Sequence, residues 1–189
     1  DGRRRIPLWS ILTAAFLAVA FGYLAYTYIV ESRRDTAVTV VPAIGGPFEL
    51  TDHNGRPVSD EDFDGRFVLI YFGYTYSPGD SPSALTAMAD ALDLLGAAGG
   101  KIDPVFITVD PARDTPEQLR MYVDFFHPRL VGLTGTPEQI AAVAETYQIF
   151  FAKTETDGAD AEDYLMDHTP IIYLMGPDGR YRTHFTPGT

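Results

Sequence analysis

Ser77 and Ser81 are separated by three residues, at a junction where reactive side chains are often found. The run from Phe67 to Phe72 has the length and the β-branched and aromatic composition of a buried strand, and Ser81-Pro82 is typical of a helix start. The free N–H groups and the dipole of a helix start stabilise negative charge, for example that of a thiolate. This junction is therefore the first candidate for a reactive or ligand-binding site.

The chemistry open to two hydroxyl groups is narrow. The chain contains no cysteine, which excludes disulfides, thiol catalysis and thiolate metal sites. A Ser-His-Asp hydrolase built from either serine with His168 and Asp167 is not favoured, because neither serine lies in a Gly-x-Ser-x-Gly elbow. Both serines also have structural interpretations, with Ser81 as the helix N-cap and Ser77 as a small filler of the loop.

Other polar residues are weaker candidates. His168 precedes a predicted strand, and the alternative to a ligand role is a histidine that is hydrogen-bonded within a loop. Asp110, Arg113 and Asp114 are predicted to order a loop and cap a helix, or, as an exposed charged cluster, to contact a partner. His53, His127 and His184 are far apart in the sequence and show no ligand spacing.

The elements that position these residues follow from periodicity and turn signals. Asn54-Gly55 predicts a β-hairpin between residues 48–51 and 56–58, and a helix is expected over residues 82–95. Capping boxes at Thr115 and Thr136 each predict a helix start. Further strands are expected at residues 105–109, 130–133, 149–151 and 171–175, the last one turning back into 180–185. Alternating strands and helices predict an α/β sheet with added antiparallel strands.

The first part of the chain resembles a membrane anchor. Residues 6–30 form a stretch without a formal charge that is long enough to cross a bilayer as one helix, with a cleaved signal peptide as the alternative. Arg3, Arg4 and Arg5 favour a cytoplasmic N-terminus of residues 1–5. We therefore expect a single-pass inner-membrane protein in which residues 31–46 form a tether and residues 47–189 form a periplasmic domain.

The net charge restricts the kind of partner. The chain has 26 acidic and 14 basic residues, which gives a formal charge of -12. Such a chain is repelled by the phosphate backbone, so nucleic acid is excluded as a partner. A basic protein surface remains compatible with this charge.

Four sequence segments together resemble the Sco/SenC family. They are residues 71–75 before the paired serines, residues 109–116, residues 132–136, and Asp167-His168-Thr169 leading to residues 173–175. The family consists of membrane-anchored proteins with a thioredoxin-like domain. It is associated with copper delivery to cytochrome c oxidase, or with thiol reduction there. The resemblance covers residues 48–185 and implies the same fold for this chain.

The resemblance also implies a metal site, and this chain departs from it. The family ligands are two cysteines in a Cys-x-x-x-Cys motif and a distant histidine, which correspond here to Ser77, Ser81 and His168. Only His168 is a plausible ligand, because copper(I) prefers thiolate and a neutral serine hydroxyl is a poor ligand. Copper is therefore expected to be absent, and neither thiol redox activity nor any other enzymatic activity is expected.

Three explanations for the missing sulfur remain open at this point. In the first explanation, the two cysteines were replaced by serine deliberately, to give an inert form. Alternatively, the protein is naturally free of cysteine and acts as a structural or docking subunit of cytochrome c oxidase or another respiratory membrane complex. In the third explanation, His168 binds copper(II) together with Met166, Asp80 or Tyr76.

Overall fold

The computed structural model describes residues 43–154 and 164–186 of the chain. Three α-helices lie in this part: α1 is Asp80–Leu95, α2 is Pro116–Phe126 and α3 is Pro137–Thr146. The strands, in chain order, are β1 (Glu49–Asp52), β2 (Pro57–Ser59), β3 (Phe67–Gly73), β4 (Ile102–Thr108), β5 (Val131–Thr134), β6 (Phe151–Thr154), β7 (Leu165–His168), β8 (Ile172–Met175) and β9 (Tyr181–Phe185).

Seven of the strands form one mixed sheet in the order β2-β1-β5-β4-β3-β8-β9. Strands β3, β4 and β5 are parallel to each other, and the hairpins β1–β2 and β8–β9 extend the sheet in antiparallel fashion on its two sides. Parallel neighbours require crossover connections, which α1 and α2 supply. The predicted α/β sheet with an N-terminal β-hairpin is confirmed.

Both faces of the central strand are buried, as its unbroken apolar sequence predicts. Val68, Ile70 and Phe72 belong to one apolar cluster, and Leu69 and Tyr71 belong to a second cluster on the opposite face. The first cluster is covered by α3 and the second by α1 and α2. Because β3 is held from both sides, the loop that follows it starts from a rigid position.

Strands β6 and β7 form a separate two-stranded sheet, and this hairpin differs from the sequence expectation in two ways. The strand expected at residues 149–151 begins only at Phe151. Strand β7 was not predicted, because its sequence Leu-Met-Asp-His carries little strand preference. As a result, His168 lies at the end of a strand and not in a loop.

Some of the sequence predictions fall outside the described residues. These are the N-terminal residues 1–5, the membrane helix at residues 6–30 and most of the tether at residues 31–46. Among the helices of the described part, none is both long enough and apolar enough to cross a bilayer.

Gly73, at the end of β3, allows α1 to approach the sheet closely. A methyl group at this position would overlap the Ser81 hydroxyl and the Tyr71 ring, whereas nothing lies within 4 Å of the corresponding methyl position at Gly100. We therefore expect Gly73→Ala to lower the free energy of unfolding by about 1–3 kcal/mol through overpacking. Gly100→Ala is the matched control and should change the free energy of unfolding by less than about 0.5 kcal/mol.

The measurement is urea denaturation of the two variants beside the unchanged protein. Equal stability of the Gly73→Ala and Gly100→Ala variants would contradict the close approach of Ser81 to the end of β3.

Candidate functional site

Ser77 and Ser81 lie where the sequence places them, between the end of β3 and the first turn of α1, but their roles differ from the expectation. Helix α1 begins at Asp80 with Gly79 as its N-cap, so the prediction that Ser81 caps the helix is wrong. The cap-like contact comes from Ser77, whose Oγ accepts a hydrogen bond of 3.3 Å from the backbone N–H of Ser81. Ser77 therefore satisfies one of the free N–H groups of the helix start.

The Ser81 hydroxyl is completely buried and also accepts a backbone hydrogen bond. Its Oγ lies 3.2 Å from the backbone nitrogen of Tyr74, which donates to it. Ser77 is buried as well, with 7% of its surface exposed. The two hydroxyls thus hold the loop against the helix, and each is engaged by a backbone N–H group.

His168 reaches the same region from strand β7. Its Nε2 lies 3.1 Å from the hydroxyl of Tyr71, a residue of the central strand. The imidazole also packs edge-on against the rings of Tyr71 and Tyr74, with centroid distances of 6.1 and 5.7 Å. The structure therefore brings the outlying hairpin and the serine loop together through two tyrosines.

The protonation states of this pair follow from burial. Burial lowers the pKa of His168, although a hydrogen bond with the backbone of Met166 partly opposes this effect. Burial raises the pKa of the Tyr71 hydroxyl far above its ordinary value, and a contact with the Ser81 side chain partly opposes it. The phenol therefore keeps its proton, and the imidazole is neutral. We assign the imidazole proton to Nδ1, because the hydrogen bond with the Met166 backbone raises the histidine pKa and so requires an N–H donor, while Nε2 faces Tyr71. Nε2 then accepts from the phenol.

An open cleft with a volume of about 630 Å³ lies between this loop and the hairpin. Its lining residues are Tyr74, Ser77, Pro78, Gly79, Asp80, Thr154, Leu165, Met166, Asp167 and His168. Met166 and Asp80, two of the alternative copper(II) ligands beside His168, thus line the same cleft. Tyr76 is not among the lining residues, and its ring instead lies 4.7 Å from the guanidinium of Arg113.

Asp114 holds the serine loop in place from the loop between β4 and α2. Its carboxylate accepts hydrogen bonds from the backbone N–H of Thr75 at 3.0 Å, from the Thr75 hydroxyl at 2.6 Å and from the Thr108 hydroxyl at 2.6 Å. Burial raises the pKa of this carboxyl, and the bonds from the two threonines oppose the shift. The predicted loop-ordering role fits these contacts.

The alternative of an exposed charged cluster at this loop is wrong. Asp110 and Asp114 are only 3% and 0% exposed, because they turn inward to bind the backbone and side chains around them. Arg113 bonds to Asp110 and stacks on the ring of Tyr164 at 3.6 Å, and the Tyr164 hydroxyl donates to Asp110 at 2.8 Å. Tyr164 was not predicted as part of this cluster. The only signal for it in the sequence is an aromatic residue next to an acidic segment.

The side chains at the three family ligand positions do not fit copper(I). Two are neutral hydroxyls that accept backbone hydrogen bonds, and the third is an imidazole whose unprotonated nitrogen accepts from Tyr71. A soft cation gains little from such oxygen ligands. Within residues 43–154 and 164–186, no group of three or more His, Cys, Asp or Glu side chains is placed so that it could hold a metal ion.

The burial of neutral His168 predicts how stability depends on pH. Its pKa in the folded protein lies below the ordinary value of 6.5, so between these two values the unfolded chain binds more protons. The free energy of unfolding should therefore rise with pH up to about 6.5 and then level off. In a His168→Asn variant this rise should be reduced.

Urea denaturation between about pH 5.5 and pH 7.5 measures this slope, in a range where most carboxyl groups stay ionised. The control is the Gly100→Ala variant, which retains every histidine and should leave the slope in place. Equal slopes in the His168→Asn variant and the unchanged protein would show that His168 is not held neutral.

Comparison with known proteins identifies the family. The SCO1/SenC family model matches residues 36–189. The protein sco1 of Schizosaccharomyces pombe is 37% identical over 187 residues, which cover 95% of this chain and 70% of that protein. The mitochondrial SCO1 homolog of Mus musculus is 45% identical over 146 residues, which cover 76% of this chain and 51% of that protein. This chain thus spans only about half the length of the mouse relative.

A solved structure agrees with these matches. The crystal structure of Arabidopsis thaliana ScoI with copper bound has a TM-score of 0.72 and 40% sequence identity, covering 78% of this chain and 90% of that one. The resemblance and the thioredoxin-like α/β fold expected from the sequence are thereby confirmed. The chain belongs to the SCO1/SenC family.

Proposed function

We propose that this chain acts in cytochrome c oxidase assembly as a SCO1/SenC protein that neither carries copper(I) nor exchanges thiol electrons itself. The observation that supports this proposal is the state of the three ligand positions. The hydroxyls of Ser77 and Ser81 accept backbone N–H groups, and Nε2 of His168 accepts from Tyr71. Electron transfer by thiols is excluded because the chain has no cysteine. What remains is a non-enzymatic role.

The link to the oxidase rests on relatives. BsSco, a fold relative at 21% identity, is a member of the Sco family of cytochrome c oxidase assembly proteins. The Arabidopsis relative binds copper in its crystal structure. We carry the assembly role over to this chain as a proposal, and we do not carry over the copper chemistry, because its ligands are replaced.

We also propose the membrane topology that the sequence predicts. Residues 6–30 would cross the inner membrane once, with residues 1–5 in the cytoplasm and the folded domain in the periplasm. The uncharged 25-residue stretch and the arginines before it support this arrangement. Attachment to the membrane would concentrate the domain near a membrane-embedded oxidase.

The second candidate function is a structural or docking subunit of a respiratory membrane complex. Three exposed apolar side chains on the segments that flank the cleft favour it: Tyr76, next to Ser77, is 53% exposed, Phe150, next to β6, is 61% exposed, and Leu165, on β7, is 45% exposed. Exposed aromatic and aliphatic side chains are frequent in contact surfaces. In this role the surface of the domain contacts other subunits, and the ligand site has no function.

Copper(I) titration against a competing chelator tests the silent site. We expect the unchanged protein to leave copper(I) with the chelator, and a Ser77→Cys/Ser81→Cys variant to bind it stoichiometrically, because thiolates suit the soft ion. Adding His168→Ala to the double variant is the control and should weaken binding. Tight binding by the serine form would contradict the proposal.

Co-purification tests the assembly role. The full chain, tagged and expressed with a cytochrome c oxidase, should bring down oxidase subunits in its serine form, since the proposed contact does not need thiols. The Ser77→Cys/Ser81→Cys variant should do so to a similar extent. If only the cysteine variant associates with the oxidase, the serine form has no part in assembly. If neither associates, the partner lies elsewhere and the proposal fails.

A further inference from the structure

Strand β7 has one paired edge and one edge with no strand beside it among the described residues. It pairs with β6 in the register Phe151 to His168 and Thr154 to Leu165. The backbone N–H of Thr169 donates to the carbonyl of Phe150 at 3.0 Å, which identifies this as a hydrogen-bonded pair. Since such pairs alternate along an antiparallel ladder, Leu165 and Asp167 bond to β6. The backbone groups of Met166 and His168 therefore point to the other edge.

This outer edge faces the cleft beside the serine loop. All four residues of β7 line the cleft, and residues 77–80 form its opposite wall. From β6 only Thr154 contributes to the lining. A polypeptide segment in the cleft would therefore lie along the outer edge of β7, with the backbone N–H of Met166 and the backbone groups of His168 within reach, while the Met166 carbonyl accepts from the His168 imidazole.

The two outer strands of the seven-stranded sheet carry a proline or an arginine, which discourage strand addition, and β7 carries neither. Strand β2 has only three residues and begins with Pro57, and β9 carries Arg182. Proline, basic side chains and short length are common means of protecting an edge. The sole formal charge on β7 is the carboxylate of Asp167, and Leu165 beside it is 45% exposed.

The charge of the cleft indicates the kind of segment. Among the described lining residues, the charged side chains are Asp80 and Asp167, both exposed, and none is lysine or arginine. The net charge of -12 adds to the negative potential around the cleft. Such a field attracts basic segments and repels acidic ones.

We propose that the cleft between β7 and residues 77–80 binds an extended segment of a partner protein, which adds as a strand to β7 and places a lysine or arginine against Asp80 and Asp167. The inference rests on the proposed function, because it names the surface by which a chemically silent family member would bind its partner. Backbone pairing with Met166 and His168 supplies affinity, and alternate side chains supply specificity.

The test uses a phage library of random nine-residue peptides, selected against the full chain in detergent. We expect enriched sequences that alternate β-branched or aromatic residues with at least one basic residue. Synthetic copies are then titrated by fluorescence anisotropy. Asp80→Asn with Asp167→Asn should weaken their binding several-fold.

Met166→Pro removes an N–H from the outer edge and should weaken binding at least tenfold. The matched control is Lys153→Pro, whose residue lies directly across the hairpin and whose backbone turns away from β7. This variant should bind nearly as well as the unchanged protein. If Met166→Pro does not fold, the test uses peptides that are N-methylated on alternate residues, with the unchanged protein. Methylation of the residues whose N–H groups face β7 should abolish binding. Methylation of the residues between them should be tolerated.

Failure to enrich any sequence would overturn the proposed surface. So would enriched peptides that bind Met166→Pro as tightly as the unchanged protein or that tolerate both N-methylation patterns. Co-purification with oxidase in the absence of any peptide binding leaves the proposed function standing and removes only the surface. Peptide binding without co-purification leaves the proposed surface standing and removes the proposed function.

Discussion

The hydrogen bond from the Tyr71 hydroxyl to Nε2 of His168 joins the central strand of the main sheet to the outlying hairpin, and the chemistry of the site depends on it. It exists because both groups are buried, which keeps the phenol protonated and the imidazole neutral. Around it, Ser77 accepts a backbone N–H at the start of α1, and Ser81 accepts the backbone N–H of Tyr74 just after β3. Every group at the ligand positions thus has a partner within the protein.

Much of the fold could be predicted because its signals are local. The apolar run of β3, the Asn54-Gly55 turn and the threonine caps before α2 and α3 are short patterns with one favoured structure each. The family assignment rests on several such segments in the right order. The proximity of Ser77 and His168, which line one cleft, follows from that assignment and not from periodicity.

What could not be predicted depends on contacts distant in sequence. Strand β7 forms only because β6 lies beside it, and nothing local in its sequence favours a strand. The N-cap was assigned to Ser81 on residue preference, but the chain reaches Asp80 already helical and Ser77 supplies the contact. The burial of Asp114 likewise depends on hydrogen bonds from Thr75 and Thr108, which lie on other segments. A carboxylate that the sequence places in a charged loop is therefore buried.

The central claim is that His168 is a neutral, internally bonded histidine with no vacant nitrogen for copper(I). The most direct measurement is ¹⁵N NMR of histidine-labelled protein, with the His168 signals assigned from the His168→Asn variant. At about pH 7 we expect a proton on Nδ1 and none on Nε2, and both signals should stay in place when equimolar copper(I) is added. A copper-dependent shift or loss of the His168 signals would contradict the account.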